Sequence, residues 1–142
     1  MVSGGRVSVV VLAAALLGGC GAGPVSRAQL EAAVSQTFGN LYVVQQQRLG
    51  ATVGHDVGAS ASCDKGGPTV TDQGPGEDWS CQVSWVAADG SLQQVDYELQ
   101  VKPDACYQAS GPSGVVGSPQ LATKDGNADN PLYEFDGCTR AI

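Results

Sequence analysis

Over residues 7–17 every position is apolar except Ser8, and Gly18, Gly19 and Cys20 end the run. The run is too short for a membrane-crossing helix, which needs roughly 20 apolar residues. With Arg6 as the one positive charge ahead of it, it reads as the apolar stretch of an export signal covering residues 1–19. Further along, the apolar period becomes that of a helix. Over residues 26–49, Leu30, Val34, Phe38 and Leu41 fall on one stripe, with Ala33, Val44 and Leu49 on or near it. Ser26 is a good N-cap, and Gln29 stands three residues later, the spacing of a capping box. Gly39 weakens the middle by about 1 kcal/mol relative to alanine, so a kink or an early end there is the competing expectation. Gly50 suits the left-handed position that closes a helix.

Residues 54–76 carry no clear period. Gly, Ser, Asp, Thr and Pro dominate, Cys63 interrupts them, and Gly74-Pro75-Gly76 breaks the chain. This stretch is expected to be irregular. The period then becomes 2. Over residues 79–87, Trp79, Cys81, Val83 and Trp85 alternate with Ser80, Gln82 and Ser84. Over residues 94–101, Val95, Tyr97, Leu99 and Val101 alternate with Gln94, Asp96, Glu98 and Gln100. Both are half-buried strands, and Asp89-Gly90 between them signals a hairpin. Both apolar sets are odd-numbered, so the loop must hold an odd number of residues. Ala88-Asp89-Gly90 satisfies this, and it sets Val83 opposite Val95 and Cys81 opposite Tyr97. Pro103-Asp104 turns the chain towards a third short strand at residues 106–109. Residues 110–119 form another loop. Residues 121–142 form a tail whose Leu132, Tyr133 and Phe135 should pack down before Cys138 fixes it.

Composition narrows the functional classes. The 142 residues are 42% hydrophobic and 15% charged, with 20 Gly and 7 Pro, which fits one loop-rich domain with a core. The net charge is −7. A nucleic-acid partner needs a basic surface to replace phosphate counterions, and this chain has none. The same balance argues against electrostatic adhesion to anionic lipid, so membrane attachment must be hydrophobic or covalent.

Leu17-Gly18-Gly19-Cys20 resembles the lipobox of bacterial lipoproteins: an aliphatic residue, two small residues and a cysteine. The resemblance covers the first twenty residues. It implies a diacylglycerol on the Cys20 sulfur and cleavage just before it, with no other cofactor. Each buried CH₂ contributes ~0.8 kcal/mol, and two chains hold where one is marginal. The protein would sit on the outer face of the bacterial cell membrane, with residues 20–25 as a short tether and 26–142 as one domain.

Four cysteines remain: Cys63, Cys81, Cys106 and Cys138. In an exported domain an even number reads as two disulfides, with three connectivities open. Local closure favours Cys63–Cys81 and Cys106–Cys138. Cys81 faces the covered side of its strand, so Cys63 is expected to reach it from the helix side. A four-thiolate zinc site lacks the Cys-x₂-Cys spacing. The fold class is α+β, an N-terminal helix packed on a small antiparallel sheet. The helix followed by a cysteine-bridged hairpin is similar to small uncharacterised lipoproteins and secreted domains of high-GC Gram-positive bacteria. Cys63, Asp78-Trp79-Ser80-Cys81, Tyr97 and Cys106-Tyr107 carry that likeness, which covers roughly residues 26–109 and implies no activity.

Other chemistry is thin. His55 is the sole histidine and lies between Gly54 and Asp56, a loop setting, and there is no Gly-x-Ser-x-Gly elbow. Asp125, Asn127 and Asp129, with Asp136 at position 12, resemble the oxygen ladder of an EF-hand-type calcium loop. Position 6 is Asn130 instead of glycine, and Pro131 follows. A polar turn is the simpler reading. Asp72, Glu77 and Asp78 read as a solvated acidic run. Trp79 and Trp85 share the buried face, while the Gln- and Ser-rich face with Asp96 and Glu98 is solvated or takes a partner. The expected function is a non-enzymatic, membrane-anchored module that binds a protein or another component of the envelope. The alternatives are a cell-wall enzyme working through Asp or Glu, and a carrier of small apolar ligands lined by Trp85, Tyr97 and Leu99.

Overall fold

A computed structural model describes residues 23–140. The expected export signal, the expected lipidation site Cys20 and the first part of the expected tether lie outside them. The elements run α1 (Arg27–Arg48), β1 (Ser60–Lys65), β2 (Gly76–Val86), β3 (Leu92–Val101), β4 (Cys106–Ser110), α2 (Ser113–Val116), β5 (Gln120–Thr123), β6 (Gly126–Asp129) and β7 (Glu134–Cys138). Five strands form one antiparallel sheet in the order β1-β2-β3-β4-β7, and β5 and β6 pair separately.

The capping box is present. The Ser26 hydroxyl accepts from the Gln29 N–H, and the Gln29 side chain accepts from the Ser26 N–H. Helix α1 passes through Gly39 unbroken because that residue is buried against the loop behind β1. A Cβ there would meet Ala59 at 3.5 Å and Val57 at 3.7 Å, which is ordinary contact. Leu30, Val34 and Phe38 are fully buried, and Tyr42 and Val43 continue the stripe. Leu41 is only partly buried. Gln45 is buried as well, and its amide donates to Val116 O and Asn130 Oδ1, both at 2.9 Å, which ties the helix end to the region around α2.

The β2–β3 hairpin has the expected register, with Val83 opposite Val95 and Cys81 opposite Tyr97. Ala87 N donates to Ser91 O around the three-residue loop, and Gly90 has φ +83°, as a bulge there requires. Four features differ from the sequence expectation. The stretch 54–76 contains β1, a strand of small and polar residues. Strand β2 begins three residues early at Gly76, with a bulge before Trp79. The loop after β4 carries the short helix α2. The tail forms the β5–β6 hairpin and then β7, which pairs with β4.

Both outer strands, β1 and β7, touch α1, so the sheet curves around the helix. The space between is filled by rings. Phe38 lies 4.7 Å from Trp85 and 6.0 Å from Tyr97, centroid to centroid, and Phe135 lies 5.1 Å from Tyr97. The Tyr97 hydroxyl donates to Leu132 O at 2.6 Å, and burial pushes its pKa upward, so it stays protonated. The Trp85 indole N–H meets no acceptor among the described residues.

Both disulfides join directly opposed residues on neighbouring antiparallel strands: Cys63–Cys81 and Cys106–Cys138. The pairing is the one local closure favours, but the approach differs. Cys63 reaches Cys81 sideways from β1, inside the same sheet, and not from the helix side. Cys63–Cys81 is fully buried beneath α1. Cys106 and Cys138 alternate with the buried Tyr107 and Phe135, so their bridge lies on the opposite face, partly exposed.

Candidate functional site

The period-2 pattern that buries one face of the sheet leaves the other uncovered. The curve around α1 uses only the inner face, and polar positions of all five strands collect outside. Register fixes the rows. Asp64 lies beside Ser80, Ser80 beside Glu98, Glu98 beside Ser110, and Ser110 beside Glu134. In the next row Gln100, Gln108 and Asp136 are neighbours. Every charged residue that these strands place on this face is a carboxylate.

Amides hold several of these acids in place. Gln100 Nε2 donates to Glu77 Oε1 at 3.0 Å, Gln82 Nε2 to Asp96 Oδ1 at 3.3 Å, and Gln108 Nε2 to Glu134 Oε1. Two shallow hollows lie on the face. One, of about 230 Å³, is bounded by Glu77, Glu98, Gln100, Gln108 and Ser110. The other, of about 300 Å³, is bounded by Asp96, Glu98, Ser110, Gly111 and Pro112. Glu98 is common to both. At the hairpin end, Val86 and Leu92 pair on the same face, and Leu92 is 71% exposed.

The acidic run seen in the sequence is divided by the fold. Glu77 joins the open face. Asp72 turns to the edge of β1, where its Oδ1 accepts from the Lys65 N–H at 2.8 Å and its Oδ2 meets Arg27 at 3.5 Å. Asp78 packs beside Gly66 and Gly76. Glu31 completes the edge: Oε1 accepts from the Cys63 N–H at 2.9 Å and from Arg27 Nε at 2.7 Å. Burial alone would raise the Glu31 carboxyl. The Arg27 guanidinium and the Cys63 N–H outweigh it, and the pKa falls below the ordinary value of 4.5.

A depressed carboxyl contributes stability above its unfolded pKa and loses it as pH falls through the folded pKa. Glu31→Gln should therefore lower the melting temperature by roughly 3 °C at pH 7. The gap between the two proteins should close as pH falls below about 4. Thermal melts of both across pH 3–7 check this, and a gap that widens in acid would contradict it.

The remaining candidates lie apart. His55 is exposed and borders a hollow of about 190 Å³ with Ser35, Asn40 and Asp56. No hydrogen bond joins those groups among the described residues: Ser35 donates to Ala32 O, and Asp56 accepts from Gly58 N. The calcium ladder falls on a hairpin instead of a loop. Asp125 is in the turn, Asn127 and Asp129 are on β6, and Asp136 is on β7 opposite Gln108. Among the described residues no three acidic, His or Cys side chains cluster to hold a metal. Trp79 and Trp85 are both core. Trp79 Nε1 donates to Gly74 O at 3.0 Å. Sequence reasoning found Asp96 and Glu98 but missed Gln108, Glu134 and Asp136 as part of this face. The signal is the short alternation Glu134-Phe135-Asp136 for the last two, and Tyr107-Gln108-Ala109 for Gln108. Comparison with models of known families, with curated proteins and with solved structures finds no match to this chain.

Proposed function

We propose that the protein is a lipid-anchored module on the outer face of a bacterial membrane that binds a protein partner of the envelope. The observation that carries the binding part is the uncovered sheet face. It is broad, acidic and amide-rich, it is stiffened by a disulfide at one edge, and it holds exposed apolar residues at its far end. The anchor rests on the lipobox-like sequence at Cys20. Among the described residues no helix is long and apolar enough to cross a membrane.

The fold sets the geometry of display. Val25 is already buried, and Ser26 bridges to Gln73. At ~3.6 Å per residue the chain from Cys20 to Val25 can span at most about 18 Å, which keeps the domain close to the Cys20 lipid. The N-terminal end of α1 faces the membrane. The β2–β3 turn lies at the other end, where Ala88 N donates to the Tyr42 hydroxyl near the end of the helix. The open face stands between these two ends and is reachable from the side.

The enzyme alternative needs two carboxyls converging in a cleft. Glu77 and Glu98 do border one hollow, and Asp96 and Glu98 the other, but both hollows are shallow and open instead of clefts. Intact-mass measurement of protein extracted from membranes should show residues 1–19 removed and a diacylglycerol on Cys20. An unmodified Cys20 would sink the anchor. A photo-crosslinker placed at Gln100 in intact cells should give a discrete adduct, and its absence would sink the face as a binding surface.

A further inference from the structure

The two edges of the five-stranded sheet are treated differently. In the β1–β2 ladder the opposed pair Cys63 and Cys81 is not a hydrogen-bonded pair, so Ala61, Cys63 and Lys65 project their N–H groups outwards. Those of Cys63 and Lys65 are occupied, by Glu31 and Asp72. Side chains thus block two of the three pairing positions on this edge. In the β4–β7 ladder, Gly111 N donates to Tyr133 O at 3.0 Å and Thr139 N to Ala105 O at 2.9 Å. Odd-numbered residues of β7 therefore spend their backbone groups on β4, and Glu134, Asp136 and Cys138 project theirs outwards. Among the described residues no hydrogen bond reaches those three N–H groups.

The helix differs on the two flanks as well. Towards β1 it presents Arg27 and Glu31. Towards β7 it presents Ala32, Ala33, Gln36 and Thr37, and with Thr139 and Arg140, whose guanidinium donates to Gly23 O, these border a groove of about 410 Å³. Thr37 is engaged by the Tyr107 hydroxyl at 3.0 Å, so it does not cap the edge.

We infer that the outer edge of β7 takes an extended basic segment of a partner protein as a sixth strand. Backbone hydrogen bonds to Glu134, Asp136 and Cys138 would supply the pairing. Alternate side chains would point into the groove beside Ala32 and Ala33. The others would lie on the open face beside Glu134 and Asp136, where Lys or Arg is favoured. A second copy of this chain fits poorly, because antiparallel β7–β7 pairing sets Glu134 and Asp136 against the same carboxylates. The inference rests on the interaction-module reading and names the site and partner chemistry.

The test uses the full chain extracted from membranes, with the fluorescent peptide Lys-Thr-Lys-Val-Lys-Thr-Lys as probe. The basic peptide should bind about tenfold more tightly than its all-Glu counterpart, and N-methylation of alternate amides should cost about tenfold more. Asp136→Pro, which removes one outward N–H, should weaken binding similarly. Because that variant could fail to fold, amide exchange at Glu134 and Asp136 of the unaltered protein is followed too, and peptide should slow it about tenfold. Three results would overturn the inference: no binding below about 1 mM, equal binding of the N-methylated peptide, or a dimer joined through β7. Peptide binding does not depend on acylation. An unmodified Cys20 with peptide bound removes the anchor and leaves the edge, whereas a crosslink at Gln100 without peptide binding removes the edge and leaves the open face.

Discussion

Replacing Cys63 and Cys81 together by alanine should cost about 4 kcal/mol. Roughly 3 kcal/mol of this comes from the freed 18-residue loop in the chain-entropy model. The remainder is the packing lost when two fully buried sulfurs leave the core beneath α1. At about 4 °C per kcal/mol for a domain of this size, the melting temperature should fall by roughly 15 °C. Such a loss takes a large share of the 5–15 kcal/mol that typically holds a domain together. The Cys106→Ala and Cys138→Ala pair frees a longer loop, of 32 residues, and should cost between about 3 and 4 kcal/mol with little packing loss.

Reduction under native conditions should separate the bridges more sharply than stability does. The Cys106–Cys138 bridge is partly exposed on the open face, so thiol reagents reach it directly. The Cys63–Cys81 bridge should open only when the domain unfolds. Alkylation trapping followed by peptide mapping reads the order. Equal rates, or earlier loss of Cys63–Cys81, would show that the buried bridge is more accessible than its setting implies.

The elements legible in the sequence are those long enough to show a period against a partner. Helix α1 repeats its apolar stripe several times and carries its own cap. The β2–β3 hairpin has two clean alternations, and the parity of its apolar positions forces an odd loop, which sets the register. Strand β1 was not legible because its inward positions are Ala61, Cys63 and Lys65 and its outward ones Ser60, Ser62 and Asp64, so hydrophobicity barely alternates. What makes it a strand is tertiary: pairing with β2, a disulfide, and Glu31 and Asp72 on its outer N–H groups. The same omission explains the wrong approach given to Cys63. Once residues 54–76 are taken as a loop, the helix side is the natural route to Cys81.

Strand β7 failed for a different reason. It is five residues long and contains one large buried side chain, Phe135, so two polar neighbours look like part of an irregular tail. The candidate face was accordingly half visible. Asp96 and Glu98 were placed outwards from the alternation of β3. Gln108, Glu134 and Asp136 joined them only when β4 and β7 extended the sheet. The acidic character of the face is thus a property of topology: it gathers carboxylates that are far apart in the chain and carry no motif.

Phe38→Ala should be the most damaging single substitution in the helix, at about 3–5 kcal/mol. Phe38 is fully buried against the rings of Trp85, Tyr97 and Tyr42. The two strands beneath it are cross-paired and one is disulfide-bonded, so the site cannot readily collapse. A void should remain, lined by Trp85 and Tyr97, two of the residues that the carrier alternative invokes. The substitution therefore tests more than stability. In the unaltered protein Phe38 occupies the space between helix and sheet, and benzene or indole should give no thermal shift. In Phe38→Ala the same probes should raise the melting temperature, as ligands do when they fill a dry engineered cavity. If the unaltered protein is stabilised as much as the variant, its interior is more open than this packing describes. The apolar-ligand carrier would then displace the surface-binding reading.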